Sequence, residues 1–277
     1  MLLATTLQGC GMVRIAYNQA PDALYWWLDS YLDFREVQSL RLRPDLEALQ
    51  QWHRNNELPA WVALLEKART QAAGDIDGAQ VCRLLDEGRA RAIAVLERLE
   101  PTTVALAPTL TTEQISHLET QLDKRNRKWR AEWMEGPAGK RTAKRVKEAA
   151  SRAEMFYGDL GDRQLALVRS AIARSVFDPQ ITYREALRRE QDALGTLRSL
   201  QAARLSQAQV QAAMRGLFDR TLHSPDLAYR SYLQSLTQDG CSLIAELHNS
   251  ATPAQRQRAM KTLKSYEDDF VALAAPR

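Results

Sequence analysis

Cys10 has the most defined chemistry in this sequence. It closes "LQGC" (Leu7 to Cys10): an aliphatic residue, a tolerant position, a small residue and then a cysteine. That is the arrangement of a bacterial lipobox, in which the thiol accepts diacylglycerol and the chain is cut just before it. The cut requires a small residue, here Gly9. The preceding "LLATTLQ" reads as the end of an apolar signal segment. It is too short to span a bilayer, which takes about 20 apolar residues, and it lacks the basic start of a complete secretory signal. We therefore expect Cys10 to be lipidated, residues 1–9 to be a truncated signal remnant, and Met1 to lie inside a longer reading frame. The alternative is a chance Gly-Cys pair at the start of a cytosolic protein.

The second chemical feature is charge. The chain carries a formal net charge of +4, unevenly spread. Between Lys124 and Arg152 stand eleven Lys or Arg against three acids (Glu132, Glu135, Glu148), so the rest of the chain is net acidic. Lys124, Arg125, Arg127, Lys128 and Arg130, with Lys140, Arg141, Lys144 and Arg145, are the candidate binding residues for an anionic partner, a lipid headgroup or a protein. Nucleic acid is the less favoured partner. It would need Trp129 and Trp133 as stacking platforms, and both continue the apolar stripe of Ile115, Leu118 and Leu122, which predicts burial. Tyr25, Trp26 and Trp27 suit a membrane interface, but their neighbours Leu24, Leu28, Tyr31 and Leu32 form a helical stripe that predicts packing in a bundle.

Little else has the spacing of a reactive site. His53, His117, His223 and His248 stand apart, and His53 with Glu57 at i, i+4 is expected to be a surface pair. No phosphate-cradling loop, nucleophile elbow or paired-His zinc motif occurs. The reading is therefore no enzyme, no catalytic residue, no cofactor and no metal. Of the three cysteines, Cys82 and Cys241 are expected as two buried thiols, since a free Cys packs as a small hydrophobe. A disulfide between them is the alternative.

These residues must be carried by helices. Ala, Leu, Arg, Gln and Glu dominate, and only 12 Gly and 10 Pro interrupt them. No β-branched stretch alternates for long, so the fold class is all-α. A helix-start pattern recurs as "LTTEQ", "LSQAQ" and "ATPAQ", with "IDGAQ" and "LGDRQ" as weaker forms. Each is a capping box, with Asp77, Thr111, Gly161, Ser206 and Thr252 at the N-cap and a Gln three positions on. The caps lie 34 to 50 positions apart without a constant period, which argues against a solenoid. Further helices are expected from Asp22 to about Asn55, Pro59 to Ala73, Ala138 to Tyr157, Pro179 to Ala203 and Pro225 to His248. The sum is a multi-helix bundle of antiparallel hairpins. Residues 10–277 are read as one elongated domain, with "EGPAG" (Glu135 to Gly139) as its best internal break and a sub-boundary near 136–139.

Three segments resemble an uncharacterised family of bacterial lipoproteins. "MVRIAYNQAPDALYWWLDSYLDF" (Met12 to Phe34) is similar to its "C-x-x-V/L-R-x-x-Y-N" opening and "WWLDxYLDL" helix. "WHRNNELPAW" (Trp52 to Trp61) is similar to "WHRxxELPxY", and "HLETQLDKRNRKWRAEWMEG" (His117 to Gly136) to "HLxxxLxKRNRKYxEEWL". The resemblance implies a helical protein held to the membrane by an N-terminal lipid on Cys10 and facing the periplasm. It implies no activity. Gly11 in place of an Asp after Cys10 favours the outer membrane. The "LTTEQ" segments also resemble the "LTxxQ" motif of Spy-type periplasmic proteins, which makes a chaperone or stress sensor the second reading. A cytosolic helical nucleic-acid binder is the third.

Overall fold

In the computed structural model, the described residues are 10–203 and 205–275. The expected signal remnant, residues 1–9, lies outside them, as does the side chain of Cys10. The described residues form thirteen α-helices and no strand: α1 (Cys10–Asn18), α2 (Ala20–Leu32), α3 (Glu36–Trp52), α4 (Leu58–Gln71), α5 (Gly78–Arg98), α6 (Glu100–Leu106), α7 (Thr112–Trp133), α8 (Ala138–Tyr157), α9 (Asp162–Arg174), α10 (Pro179–Ala202), α11 (Gln207–Leu222), α12 (Leu227–Asn249) and α13 (Pro253–Ala274). A π-helical turn, His53–Glu57, joins α3 to α4, and a 3-10 turn, Ala107–Thr109, precedes α7. The protein is an all-α helical bundle.

Every expected N-cap starts a helix. The side chains of Asp77, Thr111, Ser206 and Thr252 accept from the amides of Gln80, Gln114, Gln209 and Gln255. Each Gln returns its Oε1 to the cap amide at 2.8 to 3.0 Å. Gly161 has no side chain to offer, and there the box is reduced to the bond from its amide to Gln164 Oε1, 3.0 Å. One expected helix is broken. The run from Asp22 to Asn55 is interrupted at 33–35, where Asp33 turns left-handed (φ 47°) and Asp29 takes the Phe34 amide at 2.9 Å. Side-chain capping by Asp29 substitutes for the Gly or Pro that would have marked the turn in sequence.

Two glutamine pairs, the first of them buried, tie helix starts together. At the starts of α3 and α7, Gln38 and Gln114 exchange amide bonds at 3.2 and 2.8 Å. Gln114 also donates to the carbonyls of Leu32 and Asp33, and Gln38 donates to that of Thr109. At the starts of α9 and α13, Gln164 and Gln255 do the same at 3.1 and 3.0 Å, and Gln255 adds a bond to Asp159 O.

The apolar core is divided. Val104, Leu110, Ile115, Leu122, Leu194, Leu200, Val210, Met214 and Leu217 join α6, α7, α10 and α11. Tyr25, Leu42 and Leu46 join α2 to α3. Ala150, Leu160, Val168 and Leu247 join α8, α9 and α12. The chain closes on itself, with α13 packing along α4 and against α1 and α8, while α12 packs on α5. The expectation of two free thiols is corrected here. Cys82 of α5 and Cys241 of α12 form a disulfide, because their helices approach to 5.5 Å between Cα atoms. Cys241 is only 1% exposed, packed with Val81 and Ala245.

The crosslink spans 159 residues, so its loss frees a large loop in the unfolded chain. Reduction, or Cys82→Ser with Cys241→Ser, is expected to lower stability by about 2–5 kcal/mol in urea denaturation. Gln114→Ala, which orphans several buried groups at once, should cost about 3 kcal/mol. Gln209→Ala at the exposed start of α11 should cost less than about 1 kcal/mol.

Candidate functional site

Helix α7 buries Ile115, Leu122 and Asn126. Lys124, Arg127 and Lys128, spaced three and four apart, therefore share the opposite, solvent-facing side. All three are exposed and make no ion pair with another described residue. The other candidate cations are largely occupied. Arg125 pairs with Glu190 on α10 at 2.5 Å, and Asn126 holds the second oxygen of that carboxylate. Arg130 lies 3.8 Å from Glu135. On α8, Arg141 donates to Gly136 O, and Lys144 pairs with Glu132 and lies 4.9 Å from the Trp133 ring centre. Arg145 lies 4.5 Å over Phe177, and burial pulls its pKa down, opposed by Tyr232 and Asp239. Lys140 is exposed and unpaired. The nine residues thus divide into a free set, Lys124, Arg127, Lys128 and Lys140, and a set that holds α7 and α8 in place.

The tryptophans of this segment face inward and are half-buried. Trp129 stacks on Tyr183 (5.6 Å, 8° between planes), and Trp133 meets Phe177 edge-on at 6.2 Å. The Tyr183 ring covers one face of Trp129, and the Lys144 ammonium lies over the Trp133 ring. The aromatic cluster of α2 behaves differently. Tyr25 is buried and donates or accepts at Ser39 Oγ (2.8 Å), but Trp26 and Trp27 are 60% and 55% exposed. Leu24, Leu28, Tyr31 and Leu32 are half-buried along the expected stripe, and the two indoles lie outside it.

Near Cys10, the segments singled out in sequence meet one another. Arg14 of α1 reaches Asp269 of α13 at 2.9 Å. Tyr17 shares a 3.0 Å hydrogen bond with His53 Nδ1, and its carbonyl accepts from Gln50. Asn18 Oδ1 accepts from buried Arg54 at 3.0 Å, and Arg54 also donates to Leu273 O. The "R-x-x-Y-N" and "W-H-R-x-x-E" segments are thus two sides of one contact. His53 and Glu57 are not the expected surface pair. Glu57 is buried, with Arg91 at 3.8 Å, and His53 is half-buried. The π turn sets Arg54 and Glu57 into the protein, which an α-helical projection of the sequence does not anticipate.

No group of His, Cys, Asp or Glu among the described residues is placed to hold a metal ion. No described helix is long and apolar enough to cross a membrane. Fold and surface together define a helical bundle with a cationic α7 face. The model of a family of unknown function (DUF6279) matches residues 30–230, most of the chain, and the protein belongs to that family. No curated protein and no solved structure matches the chain.

Two histidines give the fold a pH dependence. His248, fully buried, donates from Nε2 to Gly74 O at 2.9 Å, and its Nδ1 accepts from the Tyr157 hydroxyl, also at 2.9 Å. Burial holds its pKa below the usual imidazole value, with Arg256 adding to the effect, while the Gly74 bond and Asp75 oppose it. Burial likewise lowers His53, against Glu57. Below about pH 6.5 the unfolded chain takes up protons that these folded imidazoles refuse. Stability should therefore fall as pH drops from 7 to 5. The urea midpoint of a His53→Gln/His248→Gln variant should move less over that interval than that of the native chain.

Proposed function

We propose that this protein is a lipid-anchored component of the bacterial cell envelope, held through Cys10 and facing the periplasm, with a binding or structural role rather than a catalytic one. The observation that carries the location is the Cys82–Cys241 disulfide, because such bonds persist in oxidising compartments and are rare in a reducing cytosol. The lipobox "LQGC" and the resemblance to lipoproteins agree with it, and Gly11 after the anchor favours the outer membrane. The working surface is the free cation set, Lys124, Arg127, Lys128 and Lys140, which offers charge without aromatic platforms. That suits an anionic lipid or protein better than unpaired nucleic acid, whose bases need stacking faces. The recurring "LTTEQ"-type segments have a structural use in caps and glutamine pairs, so they do not call for a chaperone.

Cells fed a labelled fatty acid should yield labelled protein in the membrane fraction, and Cys10→Ser should abolish both. Denatured native protein should show no free thiol, since one cysteine is acylated and two are joined. One reactive thiol together with no label would overturn the anchor. For the surface, the free chain should bind an immobilised polyanion in a salt-sensitive way. Lys124→Gln/Arg127→Gln/Lys128→Gln should weaken that binding by roughly 100-fold at low salt, at about 1 kcal/mol per charge.

A further inference from the structure

An anchored protein can hang from a slack spacer or sit directly on the bilayer, and the first helix decides between these. Helix α1 begins at Cys10 itself, so an acylated Cys10 would be followed at once by rigid structure. Its polar side is tied to the body at three places on two separate elements: Arg14 to the buried carboxylate of Asp269 on α13, and Tyr17 and Asn18 to His53 and Arg54 of the π turn. With two separate supports, α1 cannot swing as an arm.

The side turned away from those contacts is apolar. Met12 is 75% exposed and Ile15 is 66% exposed. They are three residues apart, and thus on one face. At about 1.5 Å per residue both lie within roughly 8 Å of Cys10 along the helix. Beside α1, between it and α13, runs a groove of about 1070 Å³ lined by Val13, Arg258 and Lys261 among others. Arg258 and Lys261 are exposed cations with no ion pair among the described residues, whereas Lys264 in the same groove is already held by Glu267 and Asp268.

We infer that α1 is an interfacial helix: Met12 and Ile15 enter the headgroup region of the bilayer, and Arg258 and Lys261 receive lipid phosphate in the groove beside them. An apolar edge flanked by cations, adjoining the acylated residue, matches an anionic bilayer surface in both polarity and charge. The anchor then fixes the orientation of the whole body. This rests on the lipid-anchor reading for its biological setting, but it is tested without the lipid.

The full chain carrying Cys10→Ser is mixed with vesicles of phosphatidylcholine alone or with added phosphatidylglycerol, and bound protein is sedimented. We expect binding that prefers phosphatidylglycerol. Met12→Glu/Ile15→Glu should reduce it at least tenfold while leaving polyanion binding and thermal unfolding unchanged. Arg258→Gln/Lys261→Gln should weaken the preference for phosphatidylglycerol. Because Cys82 and Cys241 are paired, Ile15→Cys in the same background offers a single thiol for a nitroxide, which should be shielded from water-soluble relaxants on vesicles. No vesicle binding, binding indifferent to Met12→Glu/Ile15→Glu, an unchanged lipid preference, or a water-exposed nitroxide would each overturn the inference. Intact docking with no fatty-acid label on native protein would instead remove the anchor and leave the interfacial helix standing.

Discussion

The start of a helix exposes amide groups with no partner within the helix, and this structure turns that local need into tertiary order. In each capping box the glutamine spends its carbonyl oxygen on the cap amide and keeps an amide nitrogen that still needs acceptors. At the start of α11, Gln209 is exposed to solvent. At the buried starts of α3 and α7 the spare nitrogens of Gln38 and Gln114 have only protein to turn to, and each takes the other's oxygen and nearby carbonyls. A wrong pairing of helix starts would bury these donors unsatisfied, which costs more than a correct pairing gains. Gln164 and Gln255 repeat the device where the last helix meets the middle of the chain.

Apolar packing alone would specify this arrangement less well. The core is split into several small clusters rather than one, so alternative slidings of helices would bury similar areas. Directional contacts remove that freedom. The disulfide fixes α5 against α12, while buried Arg54 of the π turn and buried Asp269 of α13 hold α1 and α13 in place. A buried charge without its partner is strongly unfavourable, so these residues select one register at some cost in stability.

Much of the fold was legible because helix starts are written locally. Asp77, Thr111, Gly161, Ser206 and Thr252 each announced a helix through residues within three positions. What escaped was non-local. The kink at Asp33 depends on Asp29 reaching back to the Phe34 amide, with no glycine to signal it. The Cys82–Cys241 bond joins residues 159 apart, and sequence spacing does not encode that approach. For the candidate surface, composition located the basic segment but not which cations were available. That depended on Glu190, far along the chain, and on the turn that brings Glu132 to Lys144. On α2 the stripe of Leu24, Leu28, Tyr31 and Leu32 tells which side packs, but not which of Tyr25, Trp26 and Trp27 joins it: Tyr25 is buried and both indoles are exposed.

The division among the cations bears on recognition. The same segment has to fold α7 and α8 together and present charge outward, and a single residue cannot do both well. Arg125, with its planar fork, is spent on a carboxylate and beside an amide, where geometry counts. Lys124 and Lys128, compact and strongly hydrated, stay in solvent, where only charge counts. Because the rest of the chain is net acidic, positive charge is concentrated on this face. Such a surface selects by orientation before it selects by contact.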